Sequence, residues 1–100
     1  MNLSNTQKKI IRSKAQTIKA IIQIGKNEIG EELCKTILNA LDAHELIKIH
    51  LLNNATHSKE EAMAILQDTI TPDYIYAIGK QIVIFKQSSR KEKRKISLTL

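Results

Sequence analysis

Three short runs rich in branched apolar residues recur along this 100-residue chain, at 21–24, 45–52 and 74–78. Each is separated from the next by a stretch with helical apolar spacing. This arrangement restricts the fold more than any other feature. Connections of that length suit a helical crossover, and a strand–helix–strand crossover makes its two strands parallel. A fourth run at 81–86 follows the third after only Gly79-Lys80, which implies a hairpin and an antiparallel last strand. With a further helix before the first run, the order reads α-β-α-β-α-β-β. It predicts a compact single α/β domain with three helices and a four-stranded mixed sheet.

The helices can be placed by their caps and stripes. Ser4 with Gln7 forms a capping-box pattern opening a helix over 4–18, with Ile11, Ala15 and Ile18 on one face. A second helix starts near Gly30 and aligns Leu33, Ile37, Ala40, Leu41 and His44. Glu31 and Glu32 lie in its first turn, where the helix dipole favours acids. Cys34 beside this stripe reads as a small buried apolar residue. Ser58 with Glu61 is a second capping box, opening a third helix with Ala62, Ile65, Leu66 and Thr69 on a stripe; Pro72 ends it. In the second strand Ile47, Ile49 and Leu51 face one way, Lys48 and His50 the other. The domain is read as 1–88, and the polar, basic segment 89–100 as a flexible tail.

Composition narrows the function. One cysteine excludes an internal disulfide, and no apolar run approaches the roughly 20 residues of a membrane-spanning helix. The N-terminal stretch lacks the apolar core of a signal peptide. A cytosolic, non-membrane, monomeric domain is expected. The net charge is +6, unevenly spread. Residues 1–27 hold six basic side chains and no acid, and residues 74–100 hold seven with only Glu92 against them. Between them, nine acids face three lysines. Each charged run is by itself a solvated face. If the two basic ends meet, they form one surface suited to a polyanion.

Two short segments sharpen that reading. "QIGK" closes the first strand run and "AIGK" the third. If those strands are parallel, Gly25-Lys26 and Gly79-Lys80 emerge at one edge, beside the N-terminus of the second helix. The carboxyl edge of parallel strands, and helix N-termini with free N–H groups, favour anionic ligands.

The chain resembles the CRM-domain family (chloroplast RNA splicing and ribosome maturation), in its stand-alone bacterial YhbY-like branch. The resemblance rests on "QKKIIRSKA", "QIGKN", "ELIKI", "SKEEAMAIL" and "AIGKQIVIFKQS", in order over about residues 3–88. It implies an RNA-binding α/β domain similar to the C-terminal domain of a bacterial translation initiation factor. It further implies a cytoplasmic, ribosome-associated role with precursors of the large ribosomal subunit. The family carries a GxxG loop that clamps a nucleic-acid backbone. Carried over, that loop is Gly25, Lys26, Asn27 and Glu28, with Glu28 replacing the second glycine. Lys14 stands where a leucine is frequent, and Lys19-Ala20 replaces an Asp-Pro-like pair. Glu28 has two readings. It repels phosphate, with about 1 kcal/mol of backbone strain if the position needs positive φ. Or it serves the N-terminus of the second helix and points away from the ligand, which is the favoured reading.

The expected function is RNA binding in large-subunit assembly. Lys26 and Lys80 would hold phosphate beside Gly25, Asn27, Glu28 and Gly79. Lys8, Lys9, Arg12 and Lys14 would contact backbone from the first helix, and Arg90, Lys91, Lys93, Arg94 and Lys95 would act as an electrostatic tail. With three aromatic residues in the chain, recognition by backbone and shape is expected rather than base stacking. The alternative is a duplex-DNA-binding architectural protein. A protein adaptor using the acidic middle segment would coexist with RNA binding, for example by touching a basic ribosomal protein. Catalysis has little support. His44, His50 and His57 are six and seven residues apart, which is no metal pair on one helical turn, and no nucleophile elbow or full Walker motif is present. No cofactor is expected.

Overall fold

The computed structural model describes residues 1–100. The elements are α1 (Asn5–Ala15), β1 (Ala20–Ile24), α2 (Glu31–His44), β2 (Leu46–Leu51), α3 (Lys59–Ile70), β3 (Tyr74–Ile78) and β4 (Gln81–Phe85). Two single 3₁₀ turns follow, at Lys91–Lys93 and Ser97–Thr99. No helix is long and apolar enough to cross a membrane.

Both capping boxes form. The Ser4 hydroxyl accepts from the Gln7 N–H at 3.1 Å, and the Gln7 side chain accepts from the Ser4 N–H at 2.8 Å. At α3 the Glu61 N–H donates to the Ser58 hydroxyl at 3.1 Å, and the Ser58 N–H donates back to the Glu61 carboxylate at 2.9 Å. The Ser58 N–H, and then its hydroxyl, hold the Glu61 carboxyl below its ordinary value. α1 is shorter than its apolar spacing suggests and ends at Ala15. Thr17 follows, a β-branched residue whose hydroxyl bonds the Lys14 carbonyl at 2.8 Å, in competition with continued helix.

The sheet order is β1-β2-β4-β3, with β1 and β2 parallel and β4 antiparallel to both of its neighbours. Thus β1, β2 and β3 share one direction, as the crossover argument requires, but β3 does not pair with β2. The hairpin folds so that β4 lies between them. Its Ile82, Val83, Ile84 and Phe85 are all buried, the pattern of a strand covered on both faces. The half-exposed β3 takes the edge.

Helices α2 and α3 cover one face, over a core of Ile37, Leu41, Ile47, Ile49, Leu66, Ile70, Ile82 and Ile84. Helix α1 covers part of the other, where Ile11 and Ala15 meet Leu46, Val83 and Phe85. Burial of each large apolar side chain contributes about 1.5–3 kcal/mol, so both layers contribute to holding the sheet. His44, expected on the apolar stripe of α2, is exposed at that helix's end, and Ile70 rather than Thr69 completes the buried stripe of α3.

Two further departures meet at Glu45. Glu45 does not open β2; it is the C-cap of α2, with φ 64° in the left-handed region. Nor is the segment after residue 88 free. Glu45 is fully buried and its carboxylate gathers that segment. One oxygen accepts from Lys95 N–H at 2.8 Å and Ser97 N–H at 3.1 Å. The other accepts from Ser88 N–H at 2.9 Å and the Ser97 hydroxyl at 2.7 Å. Asp42 adds bonds to Ser89 N–H and hydroxyl, at 2.8 and 2.7 Å. Ile96 and Leu100 then pack on the α1 side of the sheet. Sequence polarity suggested fraying because the carboxylate that orders these residues lies more than forty positions upstream.

Candidate nucleic-acid interface

The carboxyl ends of β1 and β2 and the β3–β4 turn lie at one end of the sheet. The Leu52 N–H donates to the Ile24 carbonyl at 2.9 Å, and the Leu51 N–H to the Lys80 carbonyl at 2.8 Å. These bonds bring Gly25-Lys26 and Gly79-Lys80 to the same edge, with the Asn53-Asn54 turn between them. The Lys80 ammonium donates to the Asn53 side-chain carbonyl, and the Thr56 hydroxyl donates to the Lys26 carbonyl. A Cβ on Gly25 would stand 3.3 Å from the Leu52 side chain, so the loop passes close to its neighbour. Gly79 has φ +58°, as a glycine-first hairpin turn requires.

Lys59 joins this edge, its ammonium 3.3 Å from the Gly79 carbonyl. Sequence reasoning missed it. It sits at the start of α3, and only the docking of α3 beside the hairpin brings it near Lys80. Lys26 and Lys80 are both exposed. A depression of about 320 Å³ beside Lys80 is lined by Asn53, Thr56, His57 and Ser58, with no carboxylate.

Glu28 takes neither of its expected roles in full. Its φ is not positive, so the strain argument does not apply. Its carboxylate does not cap α2; one oxygen lies 3.0 Å from Nε2 of His57, in the turn before α3. The Glu28 side chain is still 76% exposed, so the charge faces solvent. It lines a depression of about 660 Å³ together with Glu31 and Glu32. Three carboxylates on the α2 side of the loop disfavour a phosphate there. The cationic character of the edge lies toward Lys80 and Lys59.

The other basic residues divide into groups. At 100° per residue, Lys8, Lys9 and Arg12 share one flank of α1. There Nη1 of Arg12 donates to the Tyr74 hydroxyl at 2.8 Å, and the Lys8 ammonium stands 5.4 Å from the Tyr74 ring centre. Lys14 falls on the opposite flank, toward the side where Gln7 reaches the Leu100 carbonyl at 3.4 Å. The two chain ends therefore do meet, under α1. The segment holding Arg90, Lys91, Lys93, Arg94 and Lys95 is anchored at Glu45, the opposite end of β2 from the Lys80 edge. The six residues of β2 separate the two by about 17 Å. Arg94 also spends its Nε–H on the Ser88 carbonyl at 2.9 Å. The basic residues thus form an edge cluster, an α1 flank and a far-end cluster, not one continuous patch.

Comparison with known proteins accords with this architecture. The family model for the CRS1 / YhbY (CRM) domain matches residues 3–86. The chain is 35% identical over 96 residues to the "Probable RNA-binding protein YqeI" of Bacillus subtilis, covering 96% of this chain and 98% of that one. It is 30% identical over 97 residues to an "RNA-binding protein" of Haemophilus influenzae, covering 96% and 94%. The solution structure of the hypothetical protein SAV1595 from Staphylococcus aureus superposes with a TM-score of 0.71 at 35% identity, over 93% of this chain and 97% of that one. By fold, matched span and identity alike, the chain belongs to the CRS1 / YhbY (CRM) domain family.

Proposed function

We propose that this protein binds RNA, and that its ligand is ribosomal RNA in a precursor of the large ribosomal subunit. The observation that carries the RNA reading is the shared edge, where Lys26, Lys59 and Lys80 surround two Gly-Lys turns at the carboxyl ends of co-directional strands. Family membership and the names of the relatives support the same ligand class. Lysines contact phosphate oxygens as point charges, so they supply affinity and orientation without reading bases. The α1 flank of Lys8, Lys9 and Arg12 extends the cationic track along one face of the sheet. The far-end cluster around Arg90–Lys95 offers a second contact to a large folded RNA.

The test has two parts. If about six phosphates are neutralised, log K should fall with log salt at a slope of about −4 to −5; a slope near zero excludes the mechanism. In gradient sedimentation the protein should travel with large-subunit precursors, and the Lys26→Ala/Lys80→Ala variant should leave them. A variant that stays bound refutes the role of the edge. Competition between structured ribosomal RNA and duplex DNA separates this function from an architectural DNA-binding one.

A further inference from the structure

The face of the sheet under α1 is only half roofed. Register places its side chains in three cross-strand rows: Leu46–Phe85–Tyr74, then Lys48–Val83–Tyr76, then His50–Gln81–Ile78. In the first row Leu46 and Phe85 are buried beneath Ile11 and Ala15. In the second only Val83 is buried. In the third no residue is buried, and Ile78 is 61% exposed although it is a large apolar side chain. Between these open rows and the end of α1 runs a groove of about 440 Å³, lined among others by Arg12, Gln16, Lys48, Tyr76, Ile78 and Gln81.

The chemistry of this groove is unlike that of the edge. It holds two cations and no carboxylate. It also holds an aromatic ring, an exposed isoleucine and two amides. Tyr74 is already engaged, by Arg12 on its hydroxyl and Lys8 over its ring. Tyr76 stands beside it with ring centres 5.1 Å apart and planes tilted by 31°. The Tyr76 hydroxyl, the Lys48 ammonium and the amides of Gln16 and Gln81 take part in no side-chain hydrogen bond within the chain, and none is a buried orphan. They are unspent polar groups around an apolar floor. A phosphate alone has no use for the ring or the isoleucine, and an aliphatic ligand has none for the amides. A planar heterocycle with donors and acceptors on its rim uses all of them. Gly79, the residue before Lys80, also lines the groove, so the groove adjoins the turn that carries Lys80.

We propose that this groove seats an unstacked base of a single-stranded RNA segment whose phosphates lie along the cationic part of the edge, at Lys80 and Lys59. The proposal rests on the RNA-binding reading and adds to it a contact with the base itself. Few aromatics in a sequence argue against stacking only when they are scattered; here Tyr74, Tyr76 and Phe85 fall on one face of two adjacent strands.

Fluorescence anisotropy with two labelled probes tests it: a single-stranded RNA dodecamer of mixed sequence, and its fully abasic phosphodiester counterpart. The protein should bind the base-bearing probe more tightly. Tyr76→Leu should weaken that binding about 5- to 150-fold, the range for one base stacked on an aromatic ring. Tyr76→Phe should retain most of it, and Gln81→Ala, on the row with no buried residue, should lower it without touching the core. Abasic binding and the salt slope should not change in any variant. Equal binding of the two probes overturns the proposal while leaving phosphate binding intact. So does a folded Tyr76→Leu/Gln81→Ala variant that binds the RNA as tightly as the native chain. Loss of an acidic peptide rather than RNA in those variants assigns the groove to a protein and also overturns it. Failure to bind either probe or folded ribosomal RNA refutes the RNA-binding reading itself.

Discussion

Glu45→Gln isolates the residue that ties the chain end to the domain. The carboxylate receives four hydrogen bonds and is fully shielded from water. A glutamine side chain of the same shape has one carbonyl oxygen and one amide nitrogen. It does least damage with its oxygen toward the Lys95 and Ser97 N–H groups and its NH₂ toward Ser88 and the Ser97 hydroxyl. That hydroxyl can turn and accept; the Ser88 N–H cannot. One buried donor is then unsatisfied, at about 1–3 kcal/mol, and the remaining bonds lose their charge assistance. The expected loss is about 2–4 kcal/mol in urea unfolding, or a Tm lower by about 10–25 °C for a domain of this size. Amide exchange at Ser88, Lys95 and Ser97 should accelerate selectively. Acid should act in the same sense. Burial, the largest single influence on this carboxyl, opposes its ionisation, but the Ser88, Ser97 and Lys95 donors together outweigh burial and lower its pKa below the ordinary 4.5. A depressed folded pKa gives stability that is complete above the ordinary value and lost as pH falls through the folded one. The Gln variant should therefore lose less stability than the native chain between pH 5 and the acid limit, taken as about pH 2. A change below about 0.5 kcal/mol with the three amides still protected would refute the reasoning.

Three other substitutions probe separate parts of the molecule. Glu28→Gly removes one of three carboxylates from the depression beside the loop and should tighten RNA binding; weaker or unchanged binding counts against electrostatic repulsion there. Gly79→Ala meets no atom within 4 Å but must adopt φ +58°, so it should cost about 1–2 kcal/mol from backbone strain alone, read as a lower urea midpoint at unchanged m. An unchanged midpoint would show that the turn relaxes freely. Leu66→Ala, at a position with no solvent exposure, should cost about 2–5 kcal/mol by calorimetry, and a cost under 1 kcal/mol would mean that α3 is not held by this core.

Much of the fold is local and was legible as such. Ser4–Gln7 and Ser58–Glu61 close their capping boxes because those bonds span three residues of one chain segment. Ile11 and Ala15, or Ile37 and Leu41, are buried because a helix of 3.6 residues per turn leaves them on one stripe. The common direction of β1, β2 and β3 follows from the length of their connections. The Gly25 and Gly79 turns could be placed at one edge from that direction alone.

Where the sequence is silent, the deciding interaction joins residues distant along the chain. Insertion of β4 between β2 and β3 depends on which apolar run is buried on both faces, a property of the packed layers. Glu28 could not be assigned because its partner, His57, is twenty-nine residues away. The segment after residue 88 looked frayed because polarity is read residue by residue, whereas its order comes from a buried carboxylate forty-three positions before Ser88. Lys59 and the Tyr76 groove belong to the same class. By itself the sequence determined the elements, their caps, their apolar faces and the excess of positive charge. Tertiary structure alone decided which charges share a surface and which polar groups are spent, because charge pairing and burial depend on distance in space.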